Sequence, residues 1–130
     1  MSDGGSVDIC DAASLQDGGK GVRFPVLAFG MPATGFVVRH GGRVVGYLNR
    51  CAHVPVELDW FEGEFFDSGK LYLMCSTHGA LYAPESGACV GGPCRGGHLR
   101  PIAVREADGR ISWQPDQQVR EPAPKADEAG

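Results

Sequence analysis

The chain has 130 residues, a formal net charge of −4, 20 glycines and nine prolines. Its length is that of one domain, and its glycine and proline content favours turns and short strands over long helices. It has no block of lysine and arginine and no apolar run of membrane-spanning length, which argues against a nucleic-acid partner and against a membrane anchor.

The predicted elements are almost all strands. In chain order they cover residues 7–9, 22–29, 35–40, 43–49, 71–74, 102–105 and 110–113, with one helical turn over 12–15. Gly41 and Gly42 can supply the positive φ angles of a tight hairpin turn, and Asp108 with Gly109 marks a second hairpin. Pro25 indicates an edge or a bulge, because proline cannot donate to a neighbouring strand. The pattern favours an all-β fold.

Composition divides the chain into three parts. Residues 1–6 are expected to form a flexible N-terminus, and residues 7–113 hold the single domain. Residues 114–130 are rich in proline and charged residues with almost no apolar anchor, so they are predicted to form a disordered tail. The N-terminus shows no export signal, and we therefore expect a cytoplasmic location in which the cysteines are ligands or thiols rather than a disulfide framework.

Two short boxes carry the chemistry of the chain. The first contains Cys51 and His53, and the second contains Cys75 and His78. Each box follows an apolar strand, so two loops can face each other and each can offer one sulfur and one nitrogen. Two thiolates and two imidazoles suit a tetrahedral zinc ion or a [2Fe–2S] cluster with mixed ligands. Zinc fingers usually pair cysteine with cysteine and histidine with histidine locally, which these boxes do not.

The residues around the second box resemble the Rieske iron–sulfur family. In that family a glycine follows the second ligand histidine and an aromatic residue comes four positions after it, and here these residues are Gly79 and Tyr82. Gly91, Gly92 and Pro93 resemble the proline-containing loop that shields the cluster. The resemblance spans about residues 7–113, and it implies that Tyr82 tunes the cluster by a hydrogen bond to a ligand sulfur.

The resemblance also implies the fold and the ligand set. The fold would be a Rieske fold, with three small antiparallel sheets and a cluster-binding subdomain at one end. Cys51 and Cys75 would bind the inner iron of a [2Fe–2S] cluster, and His53 and His78 would bind the outer one. Histidine in place of two thiolates makes the oxidised site less negative, which raises the reduction potential to about −150 to +300 mV, against about −400 mV for all-cysteine plant-type clusters.

Three positions depart from the high-potential, cytochrome bc-type branch of the family. Val56 and Thr77 occupy the places where that branch has two cysteines, so its inter-loop disulfide cannot form. Ala80 occupies the place of a hydroxyl that donates a hydrogen bond to a bridging sulfide. Because a lost donor destabilises the reduced state, we expect a low to intermediate potential.

The resulting functional hypothesis is a soluble one-electron carrier rather than an enzyme. It would accept an electron from a flavin-dependent reductase and pass it to a terminal oxygenase or another oxidoreductase, and it would be a monomer in isolation. One alternative is a small Rieske subunit fixed in an oxidoreductase complex. The other is a zinc-binding or metal-free interaction module, which would be colourless.

Two further groups of residues have both a functional and a structural interpretation. Cys89 and Cys94 flank the glycine–proline loop, where they form either a redox-active pair or loop staple, or two small thiols, and the thiols are favoured. An acidic cluster between the boxes is either a docking face for a basic partner or a solvated loop. Its members are Glu57, Asp59, Glu62, Glu64 and Asp67. The nearby aromatic residues are expected to pack beneath the cluster loops. They are Trp60, Phe61, Phe65 and Phe66.

Overall fold

A computed structural model describes residues 6–50, 57–59, 63–67, 69, 71–75, 79–92 and 96–122. The described residues form ten strands and one short 3-10 turn, Ala12–Ser14, which bears out the all-β prediction. They contain no helix with the length and apolar character needed to cross a bilayer. The strands are β1 Val7–Asp11, β2 Val22–Ala28, β3 Met31–His40, β4 Arg43–Leu48, β5 Leu73–Met74, β6 Leu81–Tyr82, β7 Cys89–Gly91, β8 Pro101–Ala107, β9 Arg110–Gln114 and β10 Val119–Arg120.

The strands form one large sheet and one small sheet. The large sheet has seven antiparallel strands in the order β1-β9-β8-β4-β3-β2-β10, and the small sheet has three in the order β5-β6-β7. In the large sheet, β4 and β8 pair at only two positions, Gly46 with Ile102 and Tyr47 with Pro101. The family resemblance implies three sheets, but the structure has two, because the short pairing of β4 with β8 joins two of the three into the large sheet.

Glycine turns set the register of the large sheet. Gly41 and Gly42 have φ angles of 62° and 81° and join β3 to β4, as the sequence predicts. A third hairpin, between β2 and β3, turns at Phe29 and Gly30, with φ angles of 52° and 80°. The sequence did not predict this turn, because an aromatic residue with positive φ is uncommon. Among the described strands β10 pairs only with the end of β2, so Pro25 lies on an edge as expected.

The apolar side chains form two clusters. One lies within the large sheet, where the rings of Phe24 and Trp113 have centroids 5.3 Å apart. The other lies between the large sheet and the small sheet, where Phe36 stacks on Phe65 with ring centroids 3.9 Å apart. Phe65 is fully buried, which confirms the expected packing role for this aromatic residue. The second cluster is the one that supports the predicted ligand loops.

The predicted tail requires a correction. Asp116 accepts hydrogen bonds from the backbone N–H groups of Gln118 and Val119, at 2.8 and 2.9 Å. Val119 is 1% exposed, and β10 pairs with β2. One carboxylate-capped turn and one apolar anchor thus order residues 114–122, although their composition suggested disorder. Residues 123–130 lie outside the described residues, and so does most of the flexible N-terminus expected over residues 1–6.

Candidate metal centre

The small sheet places the second box beside the glycine–proline loop. Its central strand β6 pairs with β5 through Leu73 and Tyr82, and with β7 through Leu81 and Gly91. Cys75 follows β5 directly, and the loop that holds Gly92 follows β7. Strands of two or three residues can hold such loops together because several of their side chains lie in the apolar cluster beneath them.

Cys75 lies in the interior at the base of the second ligand loop. It is fully buried and is not disulfide-bonded. Its backbone N–H donates to the carbonyl of Ala80 at 2.8 Å, and the N–H of Gly79 donates to the carbonyl of Cys75 at 2.9 Å. Gly79 has a φ angle of 74°, which favours glycine in this tight reversal. These bonds close the loop that contains His78, which itself lies outside the described residues.

Gly92 rests directly on the second ligand loop. A Cβ atom at this position would lie 2.9 Å from Cα of Ala80 and 3.0 Å from the carbonyl oxygen of Gly79, and the φ angle is 83°. Both the space and the backbone conformation therefore require glycine. At Gly91 a Cβ atom would make only ordinary contacts with Leu81. The predicted covering loop thus meets the predicted ligand loop, while Pro93 lies outside the described residues.

The first box lies outside the described residues, but the structure describes the residues on both sides of it. Asn49, two residues before Cys51, is buried, and its N–H donates to the carbonyl of Thr34 at 2.7 Å. Its side-chain oxygen accepts a hydrogen bond from the N–H of Leu58 at 2.8 Å. Sequence reasoning missed this role of Asn49. The available signal was a polar residue at the end of a buried strand, immediately before a ligand box.

The described members of the acidic cluster differ in exposure, since Glu57 and Glu64 are exposed whereas Asp59 is buried. Asp59 is 7% exposed and accepts hydrogen bonds from Asn49 and from the N–H of Gly63. Glu57 pairs with Arg23 at 2.8 Å. The docking interpretation is wrong for Asp59, because its carboxylate supports the fold and cannot reach a partner.

Asp67 also has a structural role, as the cap of the turn that leads into β5. Its Oδ1 atom accepts hydrogen bonds from the N–H groups of Leu71 and Tyr72, at 3.0 and 3.2 Å. Glu64 is exposed, and Glu62 lies outside the described residues. Exposed apolar side chains are found in and just before the small sheet, at Leu71, Tyr72 and Val90, and at the β2–β3 hairpin, at Phe29 and Met31.

Two tyrosines support the small sheet from below. Tyr82 on β6 is fully buried, and its predicted hydrogen bond to a ligand sulfur stays a prediction. Tyr47 on β4 donates its hydroxyl to the carbonyl of Pro84 at 2.6 Å, and Gly87 packs against its ring. Burial, assisted by the negative charge of Glu85, raises the pKa of Tyr47 to about 12. Tyr47 therefore ties the large sheet to the turn between β6 and β7.

The remaining cysteines have different states. Cys89 is disulfide-bonded, so the thiol interpretation favoured from the sequence is wrong for Cys89. Its Sγ atom lies 3.5 Å from the carbonyl oxygen of Gly91, which is a contact and not a hydrogen bond, because a disulfide sulfur carries no proton. Cys94 lies outside the described residues. Cys10 is a half-buried thiol whose pKa is raised by burial.

The other two histidines make contacts of their own. His40 stacks on Phe66 with ring centroids 5.7 Å apart, and the Nδ1 atom of His98 lies 3.1 Å from the carbonyl oxygen of Leu99. Within the described residues no group of three side chains could hold a metal ion, and these residues include only Cys75 of the four predicted ligands.

The described part of the site fits an iron–sulfur cluster. Cys75 is buried at the base of the second ligand loop, and Gly92 of the neighbouring loop approaches that loop at backbone contact distance. Backbone that comes this close would let N–H groups approach a bound cluster, and such groups favour a negative charge. The donor set of two cysteines and two histidines is the set of mixed-ligand [2Fe–2S] centres.

The comparison with protein families gives the identification. Residues 5–117 match the Rieske [2Fe-2S] domain. The chain belongs to the Rieske [2Fe–2S] domain family, so its cofactor is a [2Fe–2S] cluster and it is an electron-transfer protein. The family match therefore excludes the alternative hypothesis of a zinc-binding or metal-free interaction module.

Solved structures show which proteins share this shape. The chain is 25% identical to the ferredoxin of carbazole 1,9a-dioxygenase from Nocardioides aromaticivorans IC177, with a TM-score of 0.68, covering 85% of this chain and 98% of that one. A complex of reduced oxygenase and oxidised ferredoxin of carbazole 1,9a-dioxygenase contains a chain 20% identical, with a TM-score of 0.65 and coverage of 85% and 93%.

A third solved structure shares the fold of this chain but belongs to a much larger protein. The terminal oxygenase of carbazole 1,9a-dioxygenase from Novosphingobium sp. KA1 is 22% identical, with a TM-score of 0.61, but the match covers 87% of this chain and only 30% of the oxygenase. The likeness is therefore to one domain of that enzyme. Among curated protein sequences none matches the chain.

Proposed function

We propose that the chain is the ferredoxin of a Rieske oxygenase system. It takes one electron from a flavin-dependent reductase and delivers it to a terminal oxygenase. The observation that carries this proposal is the near-complete match to a ferredoxin of such a system, 98% of whose length is covered at 25% identity. The partial match to a terminal oxygenase gives no reason to assign the oxygenase reaction to this chain, because the match covers only 30% of that enzyme.

The ligands are assigned as the sequence predicts. Cys51 and Cys75 bind one iron, and His53 and His78 bind the other. When bound, the cluster supplies reversible one-electron transfer near neutral pH. The burial of Cys75 supports the assignment, because a thiolate protected from water is protected from competing ligands and oxidants.

The chain's own residues protect and tune this site. Gly91, Gly92 and Pro93 form the cover over the second ligand loop, and the tight contact of Gly92 with Ala80 supports this role. Tyr82, fully buried in the small sheet, would donate its hydroxyl to a ligand sulfur and so favour the more negative state of the cluster. Each of these residues acts by excluding water or by donating to a charge.

The partners are redox proteins, and docking is weak and transient, as interfaces of electron carriers are. We propose that the free protein is a monomer and that it works in the cytoplasm. The disulfide at Cys89 is the feature least suited to that compartment, where thiols are kept reduced. Cell fractionation that finds the protein outside the cytoplasm would contradict this location.

The test of the ligand assignment is EPR spectroscopy of the dithionite-reduced protein. A rhombic signal with a low average g value is expected for mixed histidine and cysteine ligands. His53→Ala and His78→Ala should abolish that signal, whereas His98→Ala should retain it, because His98 is exposed and lies outside the boxes. A parent signal typical of four cysteine ligands, or no signal, would refute the assignment.

The test of the carrier role uses purified partners. Reductases and oxygenases encoded by neighbouring genes are mixed with the protein, and its visible absorption is followed. Rapid reduction by one partner and reoxidation by the other are expected, with no stable complex on size-exclusion chromatography. A partner that copurifies in fixed stoichiometry would instead favour a permanent subunit of an oxidoreductase complex.

A further inference from the structure

A polar network closes the base of the first ligand loop. The side chain of Asn49 accepts the N–H of Leu58 at 2.8 Å through its oxygen and donates to Oδ1 of Asp59 at 2.9 Å through its nitrogen. Asn49 and Asp59 are 4% and 7% exposed. The buried side chain of Asn49, at the start of the loop, thus binds Leu58 and Asp59, which follow the end of the loop.

The network continues from Asp59 to the large sheet. The second oxygen of Asp59 accepts the N–H of Gly63 at 2.9 Å, and the carbonyl of Gly63 accepts the N–H of Gly21 at 2.7 Å, just before β2. Nε of Arg23, also on β2, lies 3.8 Å from the same carboxylate oxygen, while its terminal nitrogen binds Glu57 at 2.8 and 2.9 Å. The loop is therefore held on both sides by residues whose own positions the sheet determines.

Burial of a carboxylate at this point needs a reason other than stability. A buried charge has a large desolvation cost, and well-packed apolar residues in its place are often equally or more stabilising. The compensation here is also incomplete, because Nε of Arg23 is buried without a hydrogen-bond partner among the described residues. What Asn49 and Asp59 provide is direction, since the side chain of Asn49 bonds to the backbone of Leu58 and to the carboxylate of Asp59 across the ends of a single loop.

We propose that Asn49 and Asp59 are positioning residues for the cluster. They hold the first ligand loop closed, so that its cysteine and histidine are presented together before the cluster binds. This inference depends on the proposed ligand roles of Cys51 and His53. Outer residues that orient metal ligands typically contribute about 10- to 100-fold to metal retention, because they limit the freedom of the ligands.

The experiment compares the rate of cluster loss in the holoprotein. Excess bathophenanthroline disulfonate removes iron under reducing conditions, and the visible absorption is followed. Asn49→Ala and Asp59→Asn are expected to lose the cluster about tenfold faster than the parent. The EPR g values of the reduced variants should also shift, which a purely structural role would not cause.

The chain offers a matched control for loss of a turn-capping carboxylate. Asp116 accepts two backbone N–H groups and, like Asp59, lies beside an arginine, here Arg100, but it caps the turn before β10 in the large sheet. Asp116→Asn should lower the midpoint of urea unfolding and leave the rate of cluster loss unchanged. Equal rates of cluster loss in Asp59→Asn and Asp116→Asn would overturn the proposal.

A double variant keeps the proposal testable where a single variant fails to fold. Asn49→Asp combined with Asp59→Asn preserves the net charge and exchanges donor and acceptor between the two side chains. Cluster retention within about twofold of the parent supports the positioning role, whereas a folded double variant that loses its cluster about tenfold faster refutes it. Failure of the ligand assignment is separate, because it would show in the EPR signal of the parent.

Discussion

The large sheet and the small sheet keep their shape by different means. The hairpins of the large sheet turn at glycines with open space around them, such as Gly30, Gly41 and Gly42. The small sheet has strands of two or three residues, and its loops are held by close backbone contacts, such as that of Gly92 with Ala80. The hairpin turns of the large sheet therefore tolerate local change, whereas the cluster-binding end depends on contacts between different loops.

The largest expected effect comes from a methyl group at Gly92. Gly92→Ala adds the strain of a positive φ angle and forces a Cβ atom against the backbone of Ala80, and together these should lower the free energy of unfolding by about 3 kcal/mol. Gly30→Ala has nearly the same φ angle in open space and should cost about 1 kcal/mol. Urea unfolding measures both.

The control for Gly92→Ala within the cluster-binding end is Gly96→Ala. Gly96 has a φ angle of 80°, and a methyl group added there would meet no other part of the described chain within 4 Å, so its substitution should resemble that of Gly30. The visible absorption of the purified protein should fall for Gly92→Ala only. Equal stability and equal cluster content in the two variants would contradict the close contact described for Gly92.

The link between the two sheets should weaken at alkaline pH. The pKa of Tyr47 is about 12 in the folded protein, above the ordinary value of about 10, so the unfolded chain loses this proton first. The stabilisation by the protonated Tyr47 is complete below pH about 10 and is lost as pH rises through about 12, a decrease of about 3 kcal/mol in the free energy of unfolding.

Substitution of Tyr47 isolates this alkaline effect. Tyr47→Phe should remove the additional loss of stability between pH about 10 and about 12, and at neutral pH it should cost about 1 kcal/mol, because the carbonyl of Pro84 loses its donor. Tyr72→Phe, at an exposed position, should leave the alkaline decrease in place. Chemical unfolding at several pH values tests this prediction, and an unchanged alkaline slope in Tyr47→Phe would contradict it.

The same contrast explains what the sequence predicts well. Turns at Gly41 and Gly42 could be predicted because local residues determine them. The two ligand boxes could be found because cysteine and histidine at this spacing have few other uses. Asp59 could not be placed, because its burial depends on Asn49 and Gly63, which only the fold brings together. An acidic residue on an exposed loop with other acidic residues nearby would show the same sequence pattern as Asp59.

The smallest expected effect is on the reduction potential, at Ala80. This residue is fully buried, and its carbonyl binds the N–H of Cys75, so a hydroxyl added here lies beside the proposed cluster. Ala80→Ser should raise the potential by about 60 mV, because a new donor stabilises the more negative reduced state. The parent should have a low to intermediate potential by protein-film voltammetry near neutral pH. Ala88→Ser, exposed just before β7, is the control and should leave the potential unchanged. A strongly positive parent potential would overturn the expectation of a low to intermediate potential, and with it the argument that the donor missing at Ala80 sets the potential.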